Sequence, residues 1–262
     1  MSGLLSGRKI VVTRTRDQAS ELAEQLRELG ATVLELPVLK ISKAVTKEAL
    51  ADVMLELGRY DWVAFTSANG VRYFFEEFFR LFDDIRSLGL LRIAAIGDGT
   101  LRRIAELHLK VEVQPKVATA ETLAEAMIET GSLDSAQVLV ITGNLNRDTL
   151  VTKLEEARAI VDCFQVYQTE QVDLTDVPAA AKFRAEGADA ILFASSSSAE
   201  FFAAQAGVLK LAAGAKRPLA GSIGKLTSES MKKAGIPVDF EAKTPGLPEL
   251  VDALVKKLGA AK

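Results

Sequence analysis

Small polar residues follow several apolar stretches of the sequence, each just before a segment with helical periodicity. Hydroxyl groups beside the exposed backbone N–H groups of a helix N-terminus form a good site for an anion. The residues that could bind a carboxylate or phosphate in this way are Ser67, Asn69, Gly97, Thr100, Thr142, Gly143, Ser195, Ser196, Ser197, Gly224 and Thr227. The nearest bases that could assist them are Arg14, Arg16, Arg147 and Lys225.

The same residue types also cap helices without binding anything, and capping alone explains any single loop of this kind. Here the loops occur in matched pairs. Thr66-Ser67 corresponds to Ala194-Ser195, and Ile96-Gly97 corresponds to Ile223-Gly224. The pairing favours two similar polar surfaces that face a shared cleft and bind one large, multiply anionic ligand.

Several other chemistries are disfavoured by what the sequence lacks. One histidine, His108, and one cysteine, Cys163, support neither an intrachain disulfide nor a structural zinc site. We interpret His108 as a surface or helix-end residue and Cys163, which lies in an apolar run, as a small core residue. No phosphate-binding P-loop and no complete dinucleotide fingerprint occurs, which disfavours ATP, nicotinamide and flavin. We therefore expect neither a cofactor nor a metal.

The overall composition is that of an ordinary globular protein. The 262 residues are 48% hydrophobic and 26% charged, with a formal net charge of −3, so nothing in the charge balance favours nucleic acid. No window approaches the roughly 20 apolar residues of a membrane span, and the N-terminus shows no signal-peptide pattern. We expect a cytoplasmic, monomeric protein of two domains.

The sequence repeats itself at an offset of 128 or 127 residues. Residues 61–67 match residues 189–195, and residues 96–100 match residues 223–227. The earlier apolar positions Val12, Leu22, Leu26 and Val33 match Val140, Leu150, Leu154 and Val161. Two registers that differ by a single residue over most of the chain indicate a tandem duplication.

Each copy alternates short apolar runs with amphipathic segments. Residues 9–13, 62–65 and 91–96 predict strands, and residues 17–29 and 71–82 predict helices. Continuous apolar runs separated by helices indicate parallel strands with helices on both faces. The predicted fold is α/β, with two similar doubly wound parallel-sheet domains. Ligands of such sheets lie beyond the carboxyl ends of the strands, where the polar loops are found.

Six motifs, taken in order, resemble the uroporphyrinogen-III synthase family. They are Val11-Val12-Thr13-Arg14, Phe65-Thr66-Ser67-Ala68-Asn69-Gly70-Val71, Ile96-Gly97 with Thr100, Val166-Tyr167-Gln168-Thr169, Phe193-Ala194-Ser195-Ser196-Ser197 and Ile223-Gly224 with Thr227. No single motif is specific, but together their order and spacing cover nearly the whole chain.

The resemblance implies two domains that exchange segments and are joined by two extended linkers. The linkers would lie near residues 34–41 and 164–172. The domains would then be residues 1–36 with 173–262, and residues 37–172. One departure from the family pattern is that residues 155–161 lack the glycine that the first copy keeps at Leu29-Gly30-Ala31. The second helix end is therefore expected to close differently.

The resemblance also implies an activity, the conversion of hydroxymethylbilane to uroporphyrinogen III with loss of water. Ionisation of the terminal hydroxymethyl group gives an azafulvene, and attack by the substituted carbon of the last pyrrole gives a spirocyclic intermediate. This intermediate fragments and recloses with that ring inverted. The task is chiefly one of positioning, which agrees with the shortage of acid–base residues.

Within this resemblance, Tyr167 is the candidate for assisting departure of the hydroxyl group, because a phenol can donate a proton at neutral pH. The alternative is a linker residue that only packs its ring. The substrate is a linear tetrapyrrole with eight carboxylates, and the enzyme that makes it is a candidate transient partner.

Two other functions stay open on the sequence alone. One is a non-catalytic, two-lobed protein that binds a small anion. The other is a nucleotide-dependent enzyme of the Rossmann class, which the missing phosphate loops disfavour.

Overall fold

The computed structural model describes residues 3–146 and 148–259, without the side chains of residues 16–19. The chain divides into two compact units. Unit one runs to Lys40 and resumes at Glu170, and unit two is Ile41–Thr169. The boundaries expected from the resemblance, 36/37 and 172/173, lie a few residues from these.

Unit one alternates strands and helices around a five-stranded sheet. Its elements are β1 (Lys9–Val12), α1 (Arg16–Glu28), β2 (Thr32–Glu35), α7 (Pro178–Glu186), β8 (Ala190–Phe193), α8 (Ser196–Ala204), β9 (Leu219–Ser222), α9 (Lys225–Lys233), β10 (Phe240–Glu241) and α10 (Leu247–Gly259). The strand order is β10-β9-β8-β1-β2, and the neighbouring strands are parallel.

Unit two is built around a second five-stranded sheet. Its elements are β3 (Leu39–Lys43), α2 (Lys47–Leu55), β4 (Trp62–Phe65), α3 (Ala68–Leu81), β5 (Arg92–Ala95), α4 (Asp98–Ala105), α5 (Ala120–Ile128), β6 (Gln137–Gly143), α6 (Thr149–Glu156) and β7 (Ile160–Gln171). The first two residues of β3 and the last two of β7 belong to unit one. The strand order is β3-β7-β6-β4-β5, in which β4, β5, β6 and the first part of β7 are parallel. The prediction of an α/β fold with parallel sheets is confirmed.

Side chains along the buried strands alternate between the two faces of the sheet, so apolar residues are packed on both faces. In β4, Val63 and Phe65 contact the cluster that contains Phe74 of α3. Trp62 and Ala64 point to the opposite face, where helices α5 and α6 cover the sheet. Because side chains alternate along a strand, a run that is apolar throughout must be buried on both faces. The continuous apolar runs therefore predicted this arrangement correctly.

The interpretation of Cys163 as a core residue is wrong, because its side chain is exposed. Strand β7 is not buried throughout: Phe164 and Val166 face the core, whereas Asp162, Cys163 and Gln165 are exposed. The apolar neighbours of Cys163 suggested burial on both faces of β7, but the face that carries Cys163 and Gln165 is open to solvent. His108 follows the end of α4, is exposed and has a positive φ of 57°, in agreement with a helix-end residue.

Two helices end in the same way although only one has a glycine. At the end of α1, Gly30 N–H donates to Arg27 O and Ala31 N–H to Leu26 O, with Gly30 at φ 88°. At the end of α6, the matching donors are Arg158 and Ala159, with Arg158 at φ 69°. Both pairs form a Schellman motif. The expectation that the second helix would close differently is wrong: Arg158 adopts the left-handed conformation in place of glycine.

We expect Arg158→Gly to raise the free energy of unfolding by about 0.5–1 kcal/mol. A left-handed conformation costs a residue with a Cβ atom about 1–2 kcal/mol, and the extra flexibility of glycine in the unfolded chain cancels part of the gain. The exposed Arg158–Asp134 ion pair contributes little. Denaturant unfolding would measure the change, with Arg158→Ala as the control because it removes the charge but keeps the strain. An equal change in both variants would contradict the explanation.

Candidate active site

Ser67, at the carboxyl end of β4, connects the start of α3 to the phenol of Tyr167. As the N-cap residue of α3, Ser67 accepts a hydrogen bond on Oγ from Gly70 N–H at 3.0 Å. Its hydroxyl also donates to the hydroxyl oxygen of Tyr167 at 3.1 Å. One side chain therefore both caps a helix and contacts the phenol of Tyr167, the predicted catalytic candidate.

Gly143 allows the ring of Tyr167 to approach the end of β6. The two residues are partners in the β6–β7 pairing, at a point where the register shifts after Thr142. A Cβ atom added to Gly143 would lie 2.5 Å from Cε2 of Tyr167, which is closer than real Cβ contacts allow. On another side, the ring of Tyr167 stacks on Tyr73 at 6.2 Å between centroids. The phenol is therefore held by contacts with three residues.

The surroundings keep Tyr167 in its neutral form. Burial raises the pKa of the phenol, and the hydrogen bond from Ser67 lowers it by less. Because the Tyr167 oxygen accepts the bond from Ser67, the proton of the phenol is not used in that contact. A neutral phenol whose proton remains for another acceptor can act as a hydrogen-bond donor or a general acid.

Asn144 fixes β7 just beyond the phenol. Its side-chain amide donates to the carbonyl of Thr169 at 3.1 Å, and its amide oxygen accepts from Thr169 N–H at 2.8 Å. These two hydrogen bonds resemble those between paired strands, and they connect the loop after β6 to β7. Thr142, directly before this loop, is buried, with 8% of its surface exposed.

Three other predicted residues of unit two lie at the starts of helices. The expectation that a helix directly follows each polar loop is wrong for Thr142 and Gly143, because they end β6 and α6 begins only at Thr149. Gly97 is the N-cap residue of α4 with φ 83°, a left-handed conformation that favours glycine. Thr100 lies in the first turn of α4 and is only 4% exposed, and Asn69 is half-buried in the first turn of α3. The backbone N–H groups at these helix starts are the positive ends of the helix dipoles.

Unit one has a matching arrangement at β8 and β9. Ser195 caps α8 by accepting from Ser198 N–H at 3.2 Å, and its hydroxyl lies 3.1 Å from that of Ser197. The hydroxyl of Ser196 donates to Leu226 O at 3.3 Å. Gly224 is the N-cap residue of α9, and Thr227 in the first turn is 4% exposed.

Arg14 follows β1 and is partly buried. Burial lowers the pKa of its guanidinium, and the nearby carboxylate of Glu21 acts in the opposite direction. A partly desolvated cation interacts more strongly with an anionic ligand than a fully solvated one does. Lys225 is exposed at the start of α9. Arg147 and the side chain of Arg16 lie outside the described part of the chain.

Among the predicted residues, the structure brings Tyr167, Ser67 and Gly143 into direct contact. Asn144 and Tyr73 were not predicted. The place of Asn144 after Thr142-Gly143 could have indicated it, whereas the stacking of Tyr73 depends on tertiary packing that no local pattern shows. Within residues 3–146 and 148–259, no group of three His, Cys, Asp or Glu side chains could hold a metal ion.

The fold therefore consists of two parallel α/β sheets with hydroxyl groups and glycines at their strand ends, and the sheet of unit two also carries a half-buried phenol there. The family profile described as "Uroporphyrinogen-III synthase HemD" matches residues 20–252. The chain belongs to the uroporphyrinogen-III synthase family.

Two curated relatives illustrate the similarity. The chain is 26% identical to "Uroporphyrinogen-III synthase" from Chlorobaculum parvum, over 95% of this chain and 98% of that protein. It is also 26% identical to "Porphyrin biosynthesis protein HemD" from Ruminiclostridium josui, over 97% of this chain but 48% of the relative. The chain thus spans about half the length of the second protein.

Solved structures share the fold. A mutant uroporphyrinogen III synthase from the extremely thermophilic bacterium Thermus thermophilus matches with a TM-score of 0.67 and 18% identity, over 97% of this chain and 100% of that one. The uroporphyrinogen-III synthetase from Helicobacter pylori matches with a TM-score of 0.63 and 18% identity, over 95% and 99%. In the described parts of the chain, we find no helix with the length and apolar character of a membrane span.

Proposed function

We propose that the chain is a uroporphyrinogen-III synthase, a cyclising lyase that converts hydroxymethylbilane to uroporphyrinogen III with loss of water and inversion of the last pyrrole ring. Family membership supports the reaction. The neutral phenol of Tyr167, hydrogen-bonded to Ser67 at a polar strand end, is the observation that supports a role for this chain's own residues.

In the proposed mechanism, Tyr167 assists the first step. The C–O bond of the hydroxymethyl group breaks, the oxygen takes the phenol proton and leaves as water, and the pyrrole nitrogen supplies the electron pair. The substituted carbon of the last ring then attacks, the spirocyclic intermediate fragments, and the ring recloses through its other α-carbon. That carbon loses a proton, which can return to Tyr167, so protons and electrons balance.

The substrate carboxylates are proposed to bind the polar residues at the strand ends of each sheet. The supporting features are the helix N-termini at Ser67, Gly97, Ser195 and Gly224 and the partly buried Arg14. Asn69, Thr100, Thr142, Gly143, Arg147, Ser196, Ser197 and Thr227 belong to the same proposal. Neutral donors bind carboxylates through many weak contacts, which agrees with the mildly acidic charge of the chain.

We also propose the finer organisation that the resemblance implies, which is a tandem duplication. One domain consists of residues 1–36 with 173–262 and the other of residues 37–172. The two linkers that join them lie near residues 34–41 and 164–172. Matching contacts support the duplication. Asp189 accepts from Lys9 N–H at 2.8 Å in unit one, and Asp61 accepts from Gln137 N–H at 2.8 Å in unit two. Both pairs of residues are related by the same offset of 128.

A cytoplasmic, monomeric enzyme is proposed, which receives its substrate through transient contact with the enzyme that makes hydroxymethylbilane. The chemistry supports such a contact, because the bilane also cyclises without an enzyme to the symmetric isomer.

The isomer ratio of the product tests the function. The chain is incubated with enzymatically made hydroxymethylbilane, the products are oxidised, and isomers I and III are separated. An excess of isomer III over a protein-free control is expected. Isomer I alone would overturn the proposal and favour the non-catalytic binding protein.

A further inference from the structure

The aromatic residues behind the polar strand ends are arranged alike in the two units. In unit two, Phe65 of β4 meets Phe74 of α3 with ring centroids 5.6 Å apart and ring planes at 75°. In unit one, Phe193 of β8 meets Phe202 of α8 at 5.3 Å and 75°. The offset of 128 relates both members of the pair. The two strand–helix pairs can therefore be compared position by position.

Unit one has alanines at two positions where unit two has buried phenylalanines. Phe75, which stacks on Phe65 at 6.0 Å and is 4% exposed, corresponds to Ala203. The fully buried Phe78 corresponds to Ala206, which lies beyond the end of α8 at Ala204, whereas α3 continues to Leu81. A short helix and two alanines thus replace two packed phenyl groups.

A cavity of about 280 Å³ lies beside these alanines. Its lining includes Ile191, Phe193, Phe202, Ala203, Ala206 and Arg217. Phe202 is only half-buried, whereas its counterpart Phe74 is fully buried. An enclosed apolar cavity of about 150 Å³ is enough to bind benzene in another protein. This pocket is larger and open to solvent, so it has room for an aromatic ring whose substituent stays exposed.

Arg217 gives the cavity a charged edge. Its side chain is exposed, and no carboxylate of the described residues forms an ion pair with it. A guanidinium group binds a carboxylate through two parallel hydrogen bonds. We propose that this cavity of unit one is a binding site for a small aromatic carboxylate, whose ring takes the place of the Phe75 side chain of unit two and whose carboxylate contacts Arg217. The proposal is independent of the function proposed above.

Fluorobenzoate and uncharged fluorobenzene, followed by fluorine NMR, are suitable probes for the full chain. We expect saturable binding of fluorobenzoate with a dissociation constant on the order of 1 mM, because the ligand has few atoms. Arg217→Gln is expected to weaken fluorobenzoate binding about tenfold and to leave fluorobenzene unchanged. No saturable binding of either probe to the unmodified chain would overturn the proposal.

Ala203→Phe tests the location, because it supplies the ring that unit two has at this position. Binding of both probes is expected to fall at least about tenfold, and the thermal midpoint is expected to rise as the cavity is filled. Ala204→Phe is the matched control on the same helix, since Ala204 is exposed and does not line the cavity. If Ala203→Phe fails to fold, Ala203→Leu should weaken binding several-fold. Equal binding in all variants would refute the site.

Discussion

Replacing Tyr167 with phenylalanine is expected to lower the rate of ring closure at least about tenfold, with only a small change in stability. Proton transfer from a positioned side chain contributes about 10²–10⁴-fold in typical enzymes, and tenfold is a conservative lower bound. The substitution removes the hydroxyl that accepts from Ser67 but keeps the ring against Tyr73 and Gly143. The measurement is the initial rate of isomer III formation at saturating hydroxymethylbilane, together with denaturant unfolding.

The pH dependence separates a neutral phenol from a phenolate. Burial holds the pKa of Tyr167 above its ordinary value of about 10, so the proton is present throughout the neutral range. The ratio of the unmodified rate to the Tyr167→Phe rate should therefore stay constant from about pH 7 to pH 9. A ratio that falls across this range would show that the group loses its proton there, against the assigned role.

The chain has three tyrosines, which provides matched controls. Tyr60 donates to Asp162 at 2.9 Å near the start of β4, far along the strand from Ser67, so Tyr60→Phe should leave the rate unchanged. Tyr73→Phe keeps the ring that stacks on Tyr167 and should change the rate little. A fully active Tyr167→Phe, or an equal loss in all three variants, would remove Tyr167 from the mechanism.

The sequence predicts the parts of the fold that depend on burial and periodicity. Residues 62–65 must be buried on both faces because all four are apolar, and the segment after Ser67 must be helical because its phenylalanines recur on one face. The carboxyl ends of parallel strands lie at one edge of a sheet, so the sequence alone predicts that the polar loops after β4, β5 and β6 lie close together.

The structural features that the sequence does not predict depend on single contacts rather than on patterns of residue types. The offset of 128 aligns Arg158 with Gly30, but the residue types in 155–161 do not indicate a left-handed residue. The conformation is held by backbone hydrogen bonds, from Arg158 N–H to Glu155 O at 2.8 Å and from Ser135 N–H to Arg158 O at 3.0 Å. Cys163 is exposed although its neighbours are apolar, because β7 is covered on one side only at that point. The Ser67–Tyr167 hydrogen bond joins residues 100 positions apart, and it follows from the pairing of β6 with β7.

The contact between Gly143 and Tyr167 leads to the second large effect. We expect Gly143→Ala to lower the rate of isomer III formation at least about tenfold, as Tyr167→Phe does. The new Cβ atom would lie 2.5 Å from Cε2 and 2.9 Å from the hydroxyl oxygen of Tyr167, so the phenol must shift from its present position. Overpacking of this kind costs about 1–3 kcal/mol of stability, which denaturant unfolding would reveal.

A double-mutant cycle shows whether that loss acts through the phenol. If Gly143→Ala works by displacing the Tyr167 hydroxyl, adding it to Tyr167→Phe should cost little further activity, because residues that act as a unit are not additive. Gly58→Ala is the matched control in unit two, since a Cβ atom there meets nothing within 4 Å and Gly58 has no positive φ. Additive losses would mean that Gly143 serves the strand pairing of β6 and β7 or the substrate directly. The phenol would then be positioned by Ser67 and Tyr73 without requiring a glycine on β6.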